Sequence, residues 1–230
     1  MSTPRVTVIM THYNQPKFAL EAQHSVVGQT FQDWELLLYD DGSAATKQPT
    51  IVDDPRIKAH FMPELAPLER KSRTRYAVLN NLGLHAARGG LITYLTQDDL
   101  YFPDRLERMV RYMDQHPTCN SCYGPQALWY WENGRWVSKG LRIAPTLVLD
   151  PLNVIDHDSV MHRAAVGRQC GGWPEGPEFW RKADGYFFRE LIKLGGPLQR
   201  IDGYEPTDVH RFHRSNLTDH LAKNELEKAF

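Results

Sequence analysis

Three short runs of apolar, β-branched and aromatic residues frame this chain: Val6-Thr7-Val8-Ile9-Met10, Trp34-Glu35-Leu36-Leu37-Leu38-Tyr39 and Leu91-Ile92-Thr93-Tyr94-Leu95. Nearly continuous runs of this length suit strands covered on both faces, the pattern of parallel sheets. Each run stops on a polar loop: Thr11-His12-Tyr13-Asn14, Asp40-Asp41-Gly42-Ser43 and Thr96-Gln97-Asp98-Asp99. Between them the apolar spacing of Phe18, Ala22, Val26 and Val27 predicts a helix over 19–27, and a second helix runs from about Arg70 to Ala87, closed by Arg88-Gly89-Gly90. Asp54-Pro55 turns the chain into a further strand, 57–61. This alternation predicts an α/β fold with a mainly parallel, doubly wound sheet and helices on both faces. In such sheets ligands bind at the carboxyl ends of the strands, and all three polar loops fall on that edge.

The Asp98-Asp99 pair is the sharpest of these signals. Pro103 and the spacing Leu106, Met109, Val110, Met113 start a helix just after it. Two adjacent carboxylates repel unless a cation or solvent compensates, and a hard divalent ion bound by one or two acids plus substrate phosphates accounts for them. A helix N-cap Asp beside a solvated neighbour accounts for the segment as well. Asp41 can accept a hydrogen bond from the ring N–H of a nucleotide base, although Asp-Gly turns are common in any fold. GxGxxG and GxxxxGK[ST] loops are both absent, so the sequence supports neither a dinucleotide oxidoreductase nor a P-loop NTPase. No GxSxG elbow supports a Ser-His-Asp hydrolase among the ten histidines.

At 230 residues the chain suffices for one sizeable core. The expected division is a single domain over 1–215, with a nucleotide-binding half (4–100) and an acceptor half (101–205), followed by a polar tail, 216–230. Lysines and arginines number 27 against 28 acids, so no global charge draws the chain to nucleic acid. No apolar stretch reaches the length of a bilayer span and the amino terminus carries no signal-type run, so a soluble, cytoplasmic protein is expected. Cys119-x-x-Cys122 lacks a second pair and reads as strand or core cysteines rather than a zinc or redox site. The second half is more irregular: aromatics at Tyr123, Trp129, Tyr130, Trp131 and Trp136, a hairpin turn at Asn133-Gly134, a helix over 179–194 and a strand near 198–201. From His210 the sequence turns polar and His-rich, and the segment His210 to Thr218 is expected to be mobile.

Longer patterns carry a resemblance. Val6 through Asn14, Ser25 through Leu36 and Asp40-Asp-Gly-Ser43 resemble the nucleotide-binding half of family 2 glycosyltransferases of the GT-A fold. Arg73-Thr-Arg-Tyr-Ala77, Tyr94 through Leu106, Ile155 through Arg163 and Ala183-Asp-Gly-Tyr-Phe-Phe188 are similar to the spore-coat polysaccharide branch of that family, and the resemblance covers roughly residues 4 to 205. It implies a Rossmann-like GT-A sheet with a small mixed acceptor-side layer. It also implies metal-dependent, inverting transfer of a sugar from a UDP- or dTDP-sugar to an acceptor hydroxyl. By position, Thr11, Tyr13 and Asp41 would hold the uracil or thymine base, with Tyr13 stacking and Asp41 taking the ring N–H, and Arg70 would contact base or diphosphate. Asp98 would be the acid of the DXD-type motif that binds Mg2+ or Mn2+, with Asp99 beside it. His213 would reach the metal or diphosphate, with His210 as its competitor. Asp184 would be the catalytic base, and Asp156 and His157 would bind sugar or acceptor. Two positions depart from the family: Gln97 stands where the branch has another Asp, and Thr96 where many members have the first Asp of DXD. From residues alone, Asp184 also reads as an ordinary first-turn acid favoured by the helix dipole. A nucleotidyltransferase and a non-catalytic sugar-nucleotide binding module remain the alternative functions.

Overall fold

The computed structural model describes residues 3–213. Twelve strands, β1 (Val6–His12), β2 (Trp34–Asp40), β3 (Ile57–Phe61), β4 (Leu91–Thr96), β5 (Leu100–Tyr101), β6 (Ser121–Tyr123), β7 (Gln126–Glu132), β8 (Arg135–Arg142), β9 (Leu147–Val148), β10 (Val160–Arg163), β11 (Leu198–Arg200) and β12 (Asp208–Phe212), form two sheets. Six helices accompany them: α1 (Pro16–Val27), α2 (Pro67–Lys71), α3 (Arg75–Ala86), α4 (Arg105–Gln115), α5 (Ala164–Gln169) and α6 (Ala183–Gly195).

The larger sheet has eight strands in the order β3-β2-β1-β4-β10-β6-β11-β9, and β1 to β4 are mutually parallel. Alternate side chains of β1 serve opposite layers. Val6, Val8 and Met10 pack with Ala19, Ala22 and Val26 of α1 and Leu106, Met109 and Met113 of α4. Ile9 packs on the other face with Ala77, Leu79 and Leu84 of α3 and Phe187, Phe188 and Leu191 of α6. Burial on both sides is why these strands read as near-continuous apolar runs. Cys119 and Cys122 are buried in the first of these layers. The smaller sheet, β5-β12-β7-β8, carries the hairpin turning at Asn133-Gly134, where both residues take positive φ. No helix among the described residues is long and apolar enough to cross a membrane.

Three segments differ from the sequence reading. The helix expected over 70–87 is broken at Ser72 to Thr74, because Thr74 turns inward: its N–H donates to Glu175 O at 2.7 Å and its hydroxyl to Gly176 O at 2.6 Å. The helix expected from 179 starts at Ala183, whose N–H donates to the Tyr76 hydroxyl at 3.1 Å. The tail expected to be mobile from His210 is instead strand β12 as far as Phe212, paired to both β5 and β7. Its anchors are polar, so a search for apolar residues passed over them: Asp99 accepts from Arg211 N–H at 2.8 Å and pairs with His210 at 2.9 Å. Residues 214–230, including the tail 216–230, lie outside the described residues.

Candidate active site

The three polar loops of the parallel strands do converge on one edge. His12, at the end of β1, is in register with Asp40 at the end of β2, and Thr11 lies between Tyr39 and Thr96. Gly42 makes the turn after β2 with φ +70, and a β-carbon there would sit 2.4 Å from Pro63 O, so the Asp-Asp-Gly-Ser loop needs its glycine.

Of the two acids in that loop, Asp40 is fully buried and closes an internal network. It meets His12 Nδ1 at 2.6 Å and accepts Ser43 Oγ at 2.5 Å and Ser43 N–H at 3.0 Å. Burial lowers the His12 pKa against the opposing pull of Asp40, and its Nε2 accepts Gln15 N–H at 3.2 Å. Neutral His12 therefore holds the turn. Asp41 takes Arg75 through Nε at 3.0 Å and Nη2 at 2.7 Å, and also bonds the Arg70 guanidinium. The same Arg70 lies 3.7 Å over the ring centroid of Tyr13, which is 39% exposed. The base-site candidates Tyr13, Asp41 and Arg70 are thus one contiguous group. A base stacking on that face of Tyr13 has to displace Arg70. Arg75, which no reading of the sequence had given a role, is the residue that fixes Asp41; its position inside the Arg73-Thr-Arg-Tyr-Ala77 pattern was the available signal.

After β4 the neighbouring acids diverge. Asp98 Oδ2, between β4 and β5, faces His213 Nε2, just after β12, at 3.4 Å. Asp99 is buried and turns to β12, meeting His210 and the Arg211 N–H. His213 thus keeps company with Asp98, and His210 with Asp99. The family departures have local partners: the Gln97 side chain accepts Tyr13 N–H at 2.6 Å, and the Thr96 hydroxyl donates to Asp158 at 2.7 Å.

Behind this pair lies a crowd of carboxylates. Asp156 caps the turn His157–Ser159 by accepting Asp158 N–H at 3.1 Å, and meets Arg142 at 3.3 Å and His210 at 3.6 Å. His157 lies between Asp158, 3.2 Å from Nε2, and Asp184, 4.0 Å from Nδ1. Arg105, wholly buried, ties the two sheets together through Asp208 at 3.0 Å and Thr93 at 2.8 Å.

Crowding drives the titrations apart. Burial would raise Asp99, but His210 and three hydrogen bonds hold it far below the usual carboxylate range. Burial works the same way on Asp156, and the imidazoles of His210 and His157 overcome it to lower that acid. Asp158 is raised well above the ordinary value by burial and by the charges of Asp99 and Asp156. Burial would lower His210, yet the same two carboxylates raise it to about 10, so it is a cation at neutral pH. Asp184, in the first turn of α6 with its side chain 22% exposed, is pushed up to about 6 by burial, partly offset by His157. Desolvation outweighs the helix dipole here, although Asp184 is still mostly ionised at neutral pH.

Three groups among the described residues have the donor set of a metal site, and the third is Asp156, His157 and Asp158. Asp98 and His213 offer a carboxylate oxygen and an imidazole nitrogen 3.4 Å apart, close to the roughly 3 Å between neighbouring ligands of an octahedral ion with bonds near 2.1 Å. Asp99, Asp156 and His210 also bring their ligand atoms within 4.8 Å of one another, but there the His210 imidazolium already supplies the positive charge, and a metal ion would have to displace its proton. The first group fits a divalent ion better.

A family model described as Glycosyl transferase family 2 matches residues 7–167. The chain belongs to glycosyl transferase family 2. Protein CgeD of Bacillus subtilis (strain 168) is 34% identical over 196 residues, 81% of this chain and 46% of CgeD. A second relative from the same strain, EpsE, is 30% identical over 176 residues, 75% of this chain and 61% of EpsE. The family 2 chain described here therefore spans about half to three fifths of the length of these relatives. Its fold is similar to that of S. aureus TarS 1-349 in complex with UDP, with TM-score 0.65, 16% identity, and 91% of this chain and 61% of that one covered. It is also similar to the mannosyltransferase PcManGT from Pyrobaculum calidifontis in complex with GDP-Man and Mn2+, with TM-score 0.63, 15% identity, and coverage of 97% and 65%. This is the GT-A glycosyltransferase fold.

Proposed function

We propose that residues 1–215 act as one catalytic domain that moves a sugar from a UDP- or dTDP-sugar to an acceptor hydroxyl, with inversion and with a divalent ion. The observation that carries this reading is Asp184: a carboxylate in the first turn of α6 with a proton affinity raised to about 6 by burial, 4.0 Å from His157 on the turn that carries Asp156 and Asp158. A general base works best when its pKa lies close to the operating pH. Asp184 accepts the proton of the acceptor hydroxyl as that oxygen attacks the anomeric carbon, and a single displacement inverts the centre. Asp98 and His213 would hold Mg2+ or Mn2+, which when bound offsets charge on the departing diphosphate.

Support for a pyrimidine donor comes from the Tyr13, Asp41 and Arg70 group, where an acceptor carboxylate and an aromatic face adjoin. TarS 1-349 is described with UDP and with UDP-GlcNAc, whereas PcManGT is described with GDP-Man. The acceptor is a hydroxyl compound whose further chemistry is set by the irregular second half. With 27 basic against 28 acidic residues, no global charge draws the chain to nucleic acid.

Turnover of UDP-, dTDP- and GDP-sugars with Mn2+, by the parent and by Asp184→Asn, tests the reading. The expected result is release of UDP or dTDP by the parent, and a fall of about 10²- to 10⁴-fold in the variant with nucleotide affinity retained. A variant that turns over at the parent rate contradicts the role of Asp184. A parent that binds these donors and never turns them over points to a binding module.

A further inference from the structure

His157 was expected to bind sugar or acceptor, yet its side chain is only 15% exposed and both ring nitrogens face carboxylates. The imidazole lies nearly parallel to Tyr76 of α3, with centroids 5.9 Å apart and planes at 12°. Edges of Trp173 and of Tyr94 on β4 close two further sides, at 5.7 and 6.5 Å. Nε2 is 3.2 Å from Asp158, whose own oxygens are fixed by Thr96 N–H at 3.0 Å and the Thr96 hydroxyl at 2.7 Å. Nδ1 is 4.0 Å from Asp184 Oδ2, an ion-pair distance beyond hydrogen-bond reach. Asp184 Oδ1 is held from the other side by Gly185 N–H at 2.8 Å.

We propose that His157 is a positioning residue for Asp184: its imidazole, locked between Asp158 and the ring of Tyr76, sets the place and the surroundings of the Asp184 carboxylate. This rests on the reading of Asp184 as the base. The groups that face this pair are Asp156 and Asp158 on the turn of His157, Tyr76 from α3 and Tyr94 from β4. Tyr76 and Tyr94 are both held protonated by burial. Among them the imidazole is the group that lowers the proton affinity of Asp184, while Asp156 raises it. Tyr76 serves both partners, stacking on His157 and accepting the Ala183 N–H that starts α6. The strand β4, helices α3 and α6 and the turn of His157 therefore set one distance.

The test is a titration of the carboxyl carbons of the ligand-free full chain by 13C NMR, with the Asp184 signal assigned by its loss in Asp184→Asn. His157→Phe keeps a ring against Tyr76 and removes both nitrogens; His157→Gln keeps a polar group that reaches toward Asp158. The parent should titrate at about 6, and Asp184 in His157→Phe should titrate higher by about half a pH unit or more. Donor turnover at pH 6 should fall about twofold through kcat with KM unchanged, and His157→Gln should recover part of it. If His157→Phe does not fold, the titration of His157→Gln decides the matter, again with an upward displacement expected. Asp184 titrating as in the parent in the folded variant overturns the proposal and leaves the base reading untouched. Parent-rate turnover by Asp184→Asn removes the base reading instead.

Discussion

Acids of two kinds stand along the same edge of the GT-A sheet, and they are handled in opposite ways. At the ends of β1 and β2, Asp40 and Asp41 are each matched: Asp40 by His12 and Ser43, Asp41 by Arg70 and Arg75. At the end of β4 and around α6, Asp99, Asp156, Asp158 and Asp184 crowd two imidazoles, and their titrations are pushed in both directions. A matched carboxylate is a fixed feature that a ligand reads. Carboxylates pushed apart in proton affinity divide the labour of holding cations and moving protons. On this contrast we propose that the first region recognises the nucleotide and the second performs the transfer.

The contrast can be sharpened by substitutions on either side. The largest effect is expected where cation and diphosphate meet: Asp98→Asn should weaken Mn2+-dependent UDP binding by about 10- to 100-fold, read by calorimetry with and without chelator. Affinity unaffected by the substitution and by chelator would move the metal away from Asp98. On the recognition side, Asp41→Asn should cost about tenfold in UDP affinity with the pH dependence of turnover unchanged. An altered pH profile there would mean that the two regions are not separate. In competition binding, UDP or dTDP should bind more tightly than GDP and ADP if Asp41 accepts a pyrimidine ring N–H, as proposed.

A further effect concerns stability, and its sign separates a base from a cap. Asp184 binds its proton more tightly in the folded chain, at about 6, than at its ordinary value of 3.8. Between those values the folded state holds more protons than the unfolded one, so this residue's contribution to stability falls as pH rises through that window. Asp184→Asn escapes that loss. Its melting temperature should exceed the parent's above about pH 6, by the equivalent of up to about 3 kcal/mol, and the difference should shrink toward pH 4. An ordinary cap would show no gain, since Asn caps as well as Asp.

Much of the recognition region was legible because its chemistry is local. Strands β1, β2 and β4 announce themselves by composition, and each polar loop follows its strand without a gap, so edge and residues come together. The reaction region was legible only in part. Asp184 could be named from its motif, but its elevated proton affinity comes from burial against elements far away in the chain. His210 looked like a solvated tail residue because its partners, Asp99 and Asp156, are 111 and 54 positions away, and long-range polar pairing leaves no periodicity to read. The break at Thr74 was hidden for the same reason: its partners, Glu175 and Gly176, lie on the loop before α6. Pairing between Arg75 and Asp41 likewise needed the fold, although both residues lie in patterns visible beforehand.

The central claim, that Asp184 is a base tuned by burial, is tested most directly by the pH dependence of kcat. Donor turnover would be followed from pH 4.5 to 8 at saturating Mn2+ and saturating concentrations of the donor that the parent accepts. A base must lose its proton to act, so kcat should rise with pH and reach half its plateau near pH 6, following the raised affinity of Asp184. A plateau already complete at pH 5, as an ordinary solvated carboxylate would give, contradicts the account.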